Sequence, residues 1–263
     1  MPERTEDHRL IVEAARAAGV LVMPQFGRVK SWEKVKGHPV SEADLAANAL
    51  LHELLLGARP GYGWLSEETL DEPQRLERRR VFVVDPIDGT RAFMAGRSEF
   101  TISVALVEDG APVIGAVYNP ATDEMFEAVA GGGARKNGEP LGVRDGHDFT
   151  GTRFLAGKRS FQEALGPDAE RSAAVWVNSM AYRLGLVAAG DFDGAISLFG
   201  THDWDIAAGA LLVTEAGGRI SLSDGSDIRF NQPNSRHASM VAAAPRRHAR
   251  LIERIAAATP TSA

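Results

Sequence analysis

The sequence contains no cysteine, so neither a disulfide nor a thiolate contributes to its fold or chemistry. That absence fits a reducing compartment. No apolar stretch approaches the roughly 18 residues of a membrane-crossing helix. The charged opening Met1–Leu10 lacks the apolar core of a secretory signal. A cytoplasmic protein with no membrane partner is therefore expected. A basic excess is missing as well, because the formal net charge is −6. Duplex nucleic acids are bound by Lys and Arg that neutralise phosphates, so a duplex is not the expected partner. Small phosphorylated ligands remain compatible with an acidic chain wherever metal ions supply positive charge. Internal repeats and low-complexity segments are also lacking.

What is present is an ordinary globular composition, 44% hydrophobic and 24% charged over 263 residues. That length suits one large domain or two modest ones. Leu10, Ile11, Ala14, Ala18, Leu21 and Val22 recur at helical spacing and predict a helix over Asp7–Phe26. A basic stretch, Arg28–Lys36, follows. A second helix is expected after Ser41, carrying Leu45, Leu50, Leu54 and Leu55 to a stop at Gly57. Gly63–Ser66 is a short strand candidate, Asp71–Arg80 a charged loop, and Val81–Val84 a buried strand. Thr101–Val107 and Val113–Val117 flank the turn residues Glu108-Asp109-Gly110 and predict a hairpin. Met125–Val129 extends that sheet, which Gly131-Gly132-Gly133 is expected to end.

The pattern changes after Leu141. Strands at Arg153–Ala156, Val175–Asn178, Gly194–Leu198 and Met240–Ala243 alternate with helices at Tyr182–Ala189, Asp205–Ala216 and Arg246–Ala257. An α+β half, residues 1–145, would thus precede an α/β half, residues 146–263. Thr259–Ala263 reads as a frayed end.

The segment Val81–Thr90 is the richest in chemistry. Four apolar residues enter a sheet, and Asp85 is expected to emerge where the strand ends. Pro86 cannot continue a ladder, and Gly89 permits a tight turn. Asp85 and Asp88 then share one rigid turn with Thr90, an arrangement able to hold a hard cation such as Mg²⁺. The amides of Gly89 and Thr90 would face a phosphate if Thr90 opens a helix. A plain strand-end turn is the competing account. Two further acidic sites carry similar alternatives. Glu67-Glu68 is either a ligand source or a solvated acidic turn, and Asp205 after Trp204 is either a ligand or a helix cap.

Taken together, Leu65-Ser66-Glu67-Glu68, Asp85-Pro86-Ile87-Asp88-Gly89-Thr90 and Trp204-Asp205-Ile206-Ala207-Ala208-Gly209 resemble the signatures of the inositol monophosphatase superfamily. Thr214-Glu215-Ala216-Gly217-Gly218 is similar to another segment of that family, and the resemblance covers nearly the whole chain. It implies a layered αβαβα sandwich and a lithium-sensitive phosphatase using two or three Mg²⁺ ions. Glu67, Asp85, Asp88, Asp205 and the Ile87 carbonyl would be metal ligands. Thr90 and Asp44 would orient the attacking water, with Glu67 on its side of the site. Asp44 lies in Pro39-Val40-Ser41-Glu42-Ala43-Asp44, which also reads as a capping box. Substrate contacts are expected from Gly89, Thr90, Ser179 and Asp205, and Lys36 is placed near the metals.

The chemistry such a site performs is hydrolysis of a small phosphate monoester, with metal ions neutralising phosphoryl charge and activating water. Inositol monophosphate and 3′-phosphoadenosine 5′-phosphate are the two expected substrates. Leu198 stands where inositol-specific relatives carry a ring-binding glutamate. Asn178-Ser179-Met180-Ala181 departs from the small-residue run of those relatives, and His202-Asp203 resembles the bisphosphate nucleotidase branch. Lys158 and Arg159 are candidates for a second phosphate. A haloacid-dehalogenase-type phosphatase with a covalent phosphoaspartate is one alternative, although its aspartates are spaced more closely. A non-catalytic regulatory relative is the other. A monomer or homodimer is expected.

Overall fold

The computed structural model describes residues 2–35 and 38–258. Lys36 and Thr259–Ala263 lie outside the described residues. Helix α1 (Pro2–Val22) leads through a hairpin of β1 (Ser31–Val35) and β2 (His38–Ser41) into α2 (Glu42–Ala58). Ser41 caps α2 reciprocally: its side chain accepts the Asp44 N–H, and the Asp44 carboxylate takes the Ser41 N–H at 2.8 Å. The first half then builds a seven-stranded sheet in sequence order. Its strands are β3 (Gly63–Ser66), β4 (Arg80–Asp88), β5 (Thr101–Glu108), β6 (Ala111–Asn119), β7 (Glu124–Val129), β8 (Gly133–Lys136) and β9 (Glu139–Pro140). The short helix α3 (Thr90–Met94) interrupts it. Among the described residues of this sheet, only β3 and β4 pair in parallel.

Two expectations are corrected here. The triglycine does not end the sheet. Gly131 (φ 76°) and Gly133 (φ 79°) adopt left-handed backbone, and the chain reverses into β8 and β9. Nor does β4 stop at Asp85. Asp85 pairs with Ser103 and Asp88 with Thr101, so β4 carries one more residue than β5 over this stretch. That is a bulge, and Pro86 is tolerated inside it because its missing N–H falls where the ladder is already broken. The β5–β6 hairpin is as expected, with both loop residues, Asp109 (φ 52°) and Gly110 (φ 83°), in the geometry that matches strand twist.

The second half comprises β10 (Arg153–Ala156), α4 (Lys158–Leu165), β11 (Ala173–Val175), α5 (Met180–Ala188), β12 (Gly194–Ser197), β13 (Thr201–His202), α6 (Asp203–Glu215), β14 (Arg219–Ser221), β15 (Arg236–His237), β16 (Met240–Ala243) and α7 (Pro245–Ala258). Five of its strands form a mixed sheet in the order β11-β10-β12-β16-β14, and β13 pairs with β15 alone. Strand β11 falls earlier than the expected Val175–Asn178. Residues 176–179 therefore form a loop, and α5 starts behind the Ser179 cap.

Five layers result. Helices α1 and α2 cover one face of the large sheet, α5 and α6 lie between the two sheets, and α4 and α7 cover the far face of the small one. Both sheets are clad on two sides, which is why their strands are apolar runs rather than alternations. Period-2 geometry still sorts the side chains: Phe82 and Val84 join the α1–α2 cluster, while Val81 and Val83 join the α5–α6 cluster. Leu155 and Ala195 of the small sheet pack into that same central cluster, and Phe154 and Ile196 face α4 and α7. Among the described residues, no helix is long and apolar enough to cross a membrane.

Candidate active site

The β4 bulge and the first turn of α6 bring three carboxylates together. Asp85, Asp88 and Asp205 each place an oxygen within 4.8 Å of the others. Protein donors fix one oxygen of each. Asp85 Oδ1 takes the Ile87 N–H at 3.0 Å, a contact made possible by the bulge. Asp88 Oδ2 takes the Ser179 hydroxyl at 2.7 Å and the Ala181 N–H at 2.6 Å, and Asp205 Oδ2 takes the His202 N–H at 2.7 Å. His202 also stacks on Trp204 with parallel rings 4.6 Å apart, which seats the start of α6. Asp205 thus closes the α6 capping box through Oδ2 and at the same time faces the acidic cluster.

Burial and mutual repulsion act on these groups in the same direction. Burial, then the charges of Glu67, Asp88 and Asp205, hold the Asp85 carboxyl well above the usual carboxylate range. Burial and the Asp205 charge push Asp88 up to about 7, against the opposing hydrogen bonds from Ser179 and Ala181. Carboxylates so close and so deeply placed need a cation to stay ionised. An all-oxygen, anionic donor set suits a hard divalent ion such as Mg²⁺ or Ca²⁺ and disfavours softer metals. The residues fit that group. Glu67 lines the same cleft outside the three-carboxylate cluster, near enough to be the foremost charge acting on Asp85.

Beside the cluster, the Thr90 hydroxyl lies 3.0 Å from Asp44 Oδ1 and 3.1 Å from the Ile87 carbonyl. Asp44 therefore serves two functions: Oδ2 closes the α2 capping box and Oδ1 holds Thr90. Its carboxyl, 1% exposed, is raised above its ordinary range by burial despite the hydrogen bonds from Ser41 and Thr90. Gly89 precedes Thr90 at φ 96°, and a Cβ there would sit 2.7 Å from the Glu99 carbonyl oxygen. Only glycine permits this turn.

These groups open onto a cleft of about 260 Å³ lined by Pro39, Glu67, Asp85, Ile87, Asp88, Gly89, Thr90, Arg91, Trp176, Asn178 and Asp205. Ser179 is not among them. Expected as a substrate contact, it is fully buried behind Asp88. With Asp88 ionised, the single Ser179 proton goes to Asp88, so Thr101 must donate to Ser179 (2.9 Å), and the Tyr182 N–H (2.9 Å) fills its remaining acceptor site. Ser179→Ala is expected to lower stability by about 1–2 kcal/mol through the lost cap and hydrogen bonds. A urea midpoint equal to that of the parent would contradict this placement. Arg159 is occupied elsewhere, bonded to Glu163 at 2.8 Å and stacked 4.2 Å from the Phe199 ring. Leu198 packs against the outer cluster beneath α4 and α7.

Sequence reasoning missed Arg183. It is 3% exposed, donates from Nε to the Val177 carbonyl at 2.7 Å, and feels the charges of Asp88, Asp205 and Glu99. Burial pushes it down to about 10, so it remains cationic at neutral pH. Trp176 was missed as a cleft residue because its segment reads as strand, whereas Asn178, in the segment compared with the substrate loop of relatives, does line the cleft.

The sequence model of the inositol monophosphatase family matches residues 3–261, and the chain belongs to that family, whose members in general depend on Mg²⁺. It is 37% identical over 228 residues to an inositol-1-monophosphatase of Mesorhizobium japonicum, spanning 82% of this chain and 85% of that protein. A Nus factor SuhB of Xylella fastidiosa is 31% identical over 83% of this chain and 82% of its own length. The solved structure of extragenic suppressor protein suhB from Bartonella henselae superposes with a TM-score of 0.84 at 28% identity, covering 94% of this chain and 97% of that one. Family membership sets aside the haloacid-dehalogenase alternative.

Proposed function

We propose that the chain is a divalent-cation-dependent phosphatase that hydrolyses a small phosphate monoester by direct attack of water. The observation that carries this reading is the convergence of Asp85, Asp88 and Asp205 within 4.8 Å in a chain of this family. Asp85, Asp88, Asp205, Glu67 and the Ile87 carbonyl would hold two or three Mg²⁺ ions. When bound, these supply neutralisation of phosphoryl charge and a lowered pKa for water. The protein's own part is positioning. The Thr90 hydroxyl, donating to Asp44, keeps lone pairs that accept a hydrogen bond from the attacking water, and as that water gives up its proton to Thr90 the Thr90 proton passes to Asp44. The carboxyl of Asp44, raised by burial, is a better proton acceptor than a solvated one. Gly89 and Thr90 present their amides to the phosphate, and Asp205 borders the leaving group.

Inositol monophosphates are the first substrates to test, given the relatives' names, and 3′-phosphoadenosine 5′-phosphate the second. Phosphate release from inositol 1-phosphate, phosphoadenosine phosphate and histidinol phosphate, each with and without Mg²⁺, tests the reading. The expected result is Mg²⁺-dependent release with a clear kcat/KM ranking. Absence of turnover with all three would remove the enzymatic reading and favour the regulatory one suggested by the SuhB relatives.

A further inference from the structure

Trp176 is a large apolar side chain left 56% exposed, and it stands in the wall of the cleft that holds Asp88 and Thr90. It is not loose. The buried guanidinium of Arg183 lies 4.1 Å from its ring centroid, and that guanidinium is fixed through both Nε and Nη2 to the Val177 carbonyl. Gly157 closes in near the ring, where a Cβ would come to 3.3 Å from Cζ3. One face of the indole is thereby clamped before any ligand arrives, which lowers the ordering cost of using the other. The cation already seated on one face disfavours a second cation on the opposite face and favours a neutral π-system. Asn178, in the same wall, is oriented by its Nδ2 hydrogen bond to Glu99 at 2.8 Å, which fixes its side-chain oxygen as an acceptor.

We propose that Trp176, backed by Arg183, is a specificity-determining residue that stacks on a flat aromatic ring in the leaving group, so that the preferred substrates are phosphate monoesters of ring-bearing alcohols, nucleosides among them. This inference rests on the phosphatase reading above and narrows its substrate class.

The test compares 2-phenylethyl phosphate with 2-cyclohexylethyl phosphate, which differ in the flatness of the ring and little in size. The full chain in Mg²⁺ is expected to favour the phenyl ester in kcat/KM. In Trp176→Ala that phenyl-to-cyclohexyl ratio should fall about 10-fold, mostly through KM, in line with alanine-scan losses for stacked rings. Trp176→Phe should retain most of it. A purely structural role would lower both esters together and leave the ratio unchanged, which would overturn the proposal. Calorimetric binding of adenosine, which carries the ring and has no phosphate to lose, separates the two readings. Should the parent hydrolyse neither ester and none of inositol 1-phosphate, phosphoadenosine phosphate and histidinol phosphate, the phosphatase reading falls. A roughly 10-fold weaker binding in Trp176→Ala would then still support stacking, and equal binding would overturn it.

Discussion

Asp88→Asn is expected to lower Mg²⁺-dependent phosphate release by at least ~10³-fold while the protein stays folded, the size of a loss of several kcal/mol in transition-state stabilisation. The asparagine oxygen can accept the same Ser179 and Ala181 donors that hold Asp88 Oδ2 at 2.7 and 2.6 Å. Shape is therefore kept, while the second oxygen becomes an amide that cannot bind a cation. Stability without metal should be equal or higher, because a buried like charge beside Asp85 and Asp205 has been removed. The check is kcat/KM together with a urea titration in EDTA. Parental activity in the variant would dispose of the metal-centre assignment.

Arg183→Met should be the most damaging substitution for stability, costing about 3 kcal/mol in the absence of divalent cations. The methionine fills much of the volume but leaves the Val177 carbonyl without its donors and removes the buried positive charge facing Asp88, Asp205 and Glu99. Added Mg²⁺ should narrow the difference between variant and parent, since a cation at the carboxylates replaces part of the lost charge. Urea midpoints in EDTA and in Mg²⁺ decide the matter. An unchanged midpoint in EDTA would show that the guanidinium does not balance the cluster.

The contrast between these two residues explains how far the sequence could be read. Asp88 sits in a ten-residue run, Val81–Thr90, whose apolar entry, proline and glycine announce a rigid turn carrying two carboxylates on their own. Arg183 sits among ordinary helix-forming neighbours, Tyr182 and Leu184, and looks like any solvated surface cation. Its role depends on which face of α5 turns toward the acidic cluster, and that is a property of the packed layers. Ser179 failed for a related reason. The family resemblance implied a substrate contact there, but its whole hydrogen-bonding capacity is consumed by Asp88, Thr101 and Tyr182.

By itself, the sequence determined what short-range physics controls. The Ser41–Asp44 capping box closes within four residues, the Asp109-Gly110 turn needs only two positive φ angles, and the unbroken Val81–Val84 run requires a strand covered on both sides. Tertiary structure alone decided what depends on contacts between distant segments. It turned the expected strand end at Asp85 into a bulge, because β5 continues past it to pair Thr101 with Asp88. It set Asp205 of α6 against Asp85 and Asp88 of β4, and put Trp176, backed by the buried Arg183, on the cleft wall. Those placements follow from which faces of α5 and α6 fill the space between two sheets, and no local pattern of residues specifies that choice.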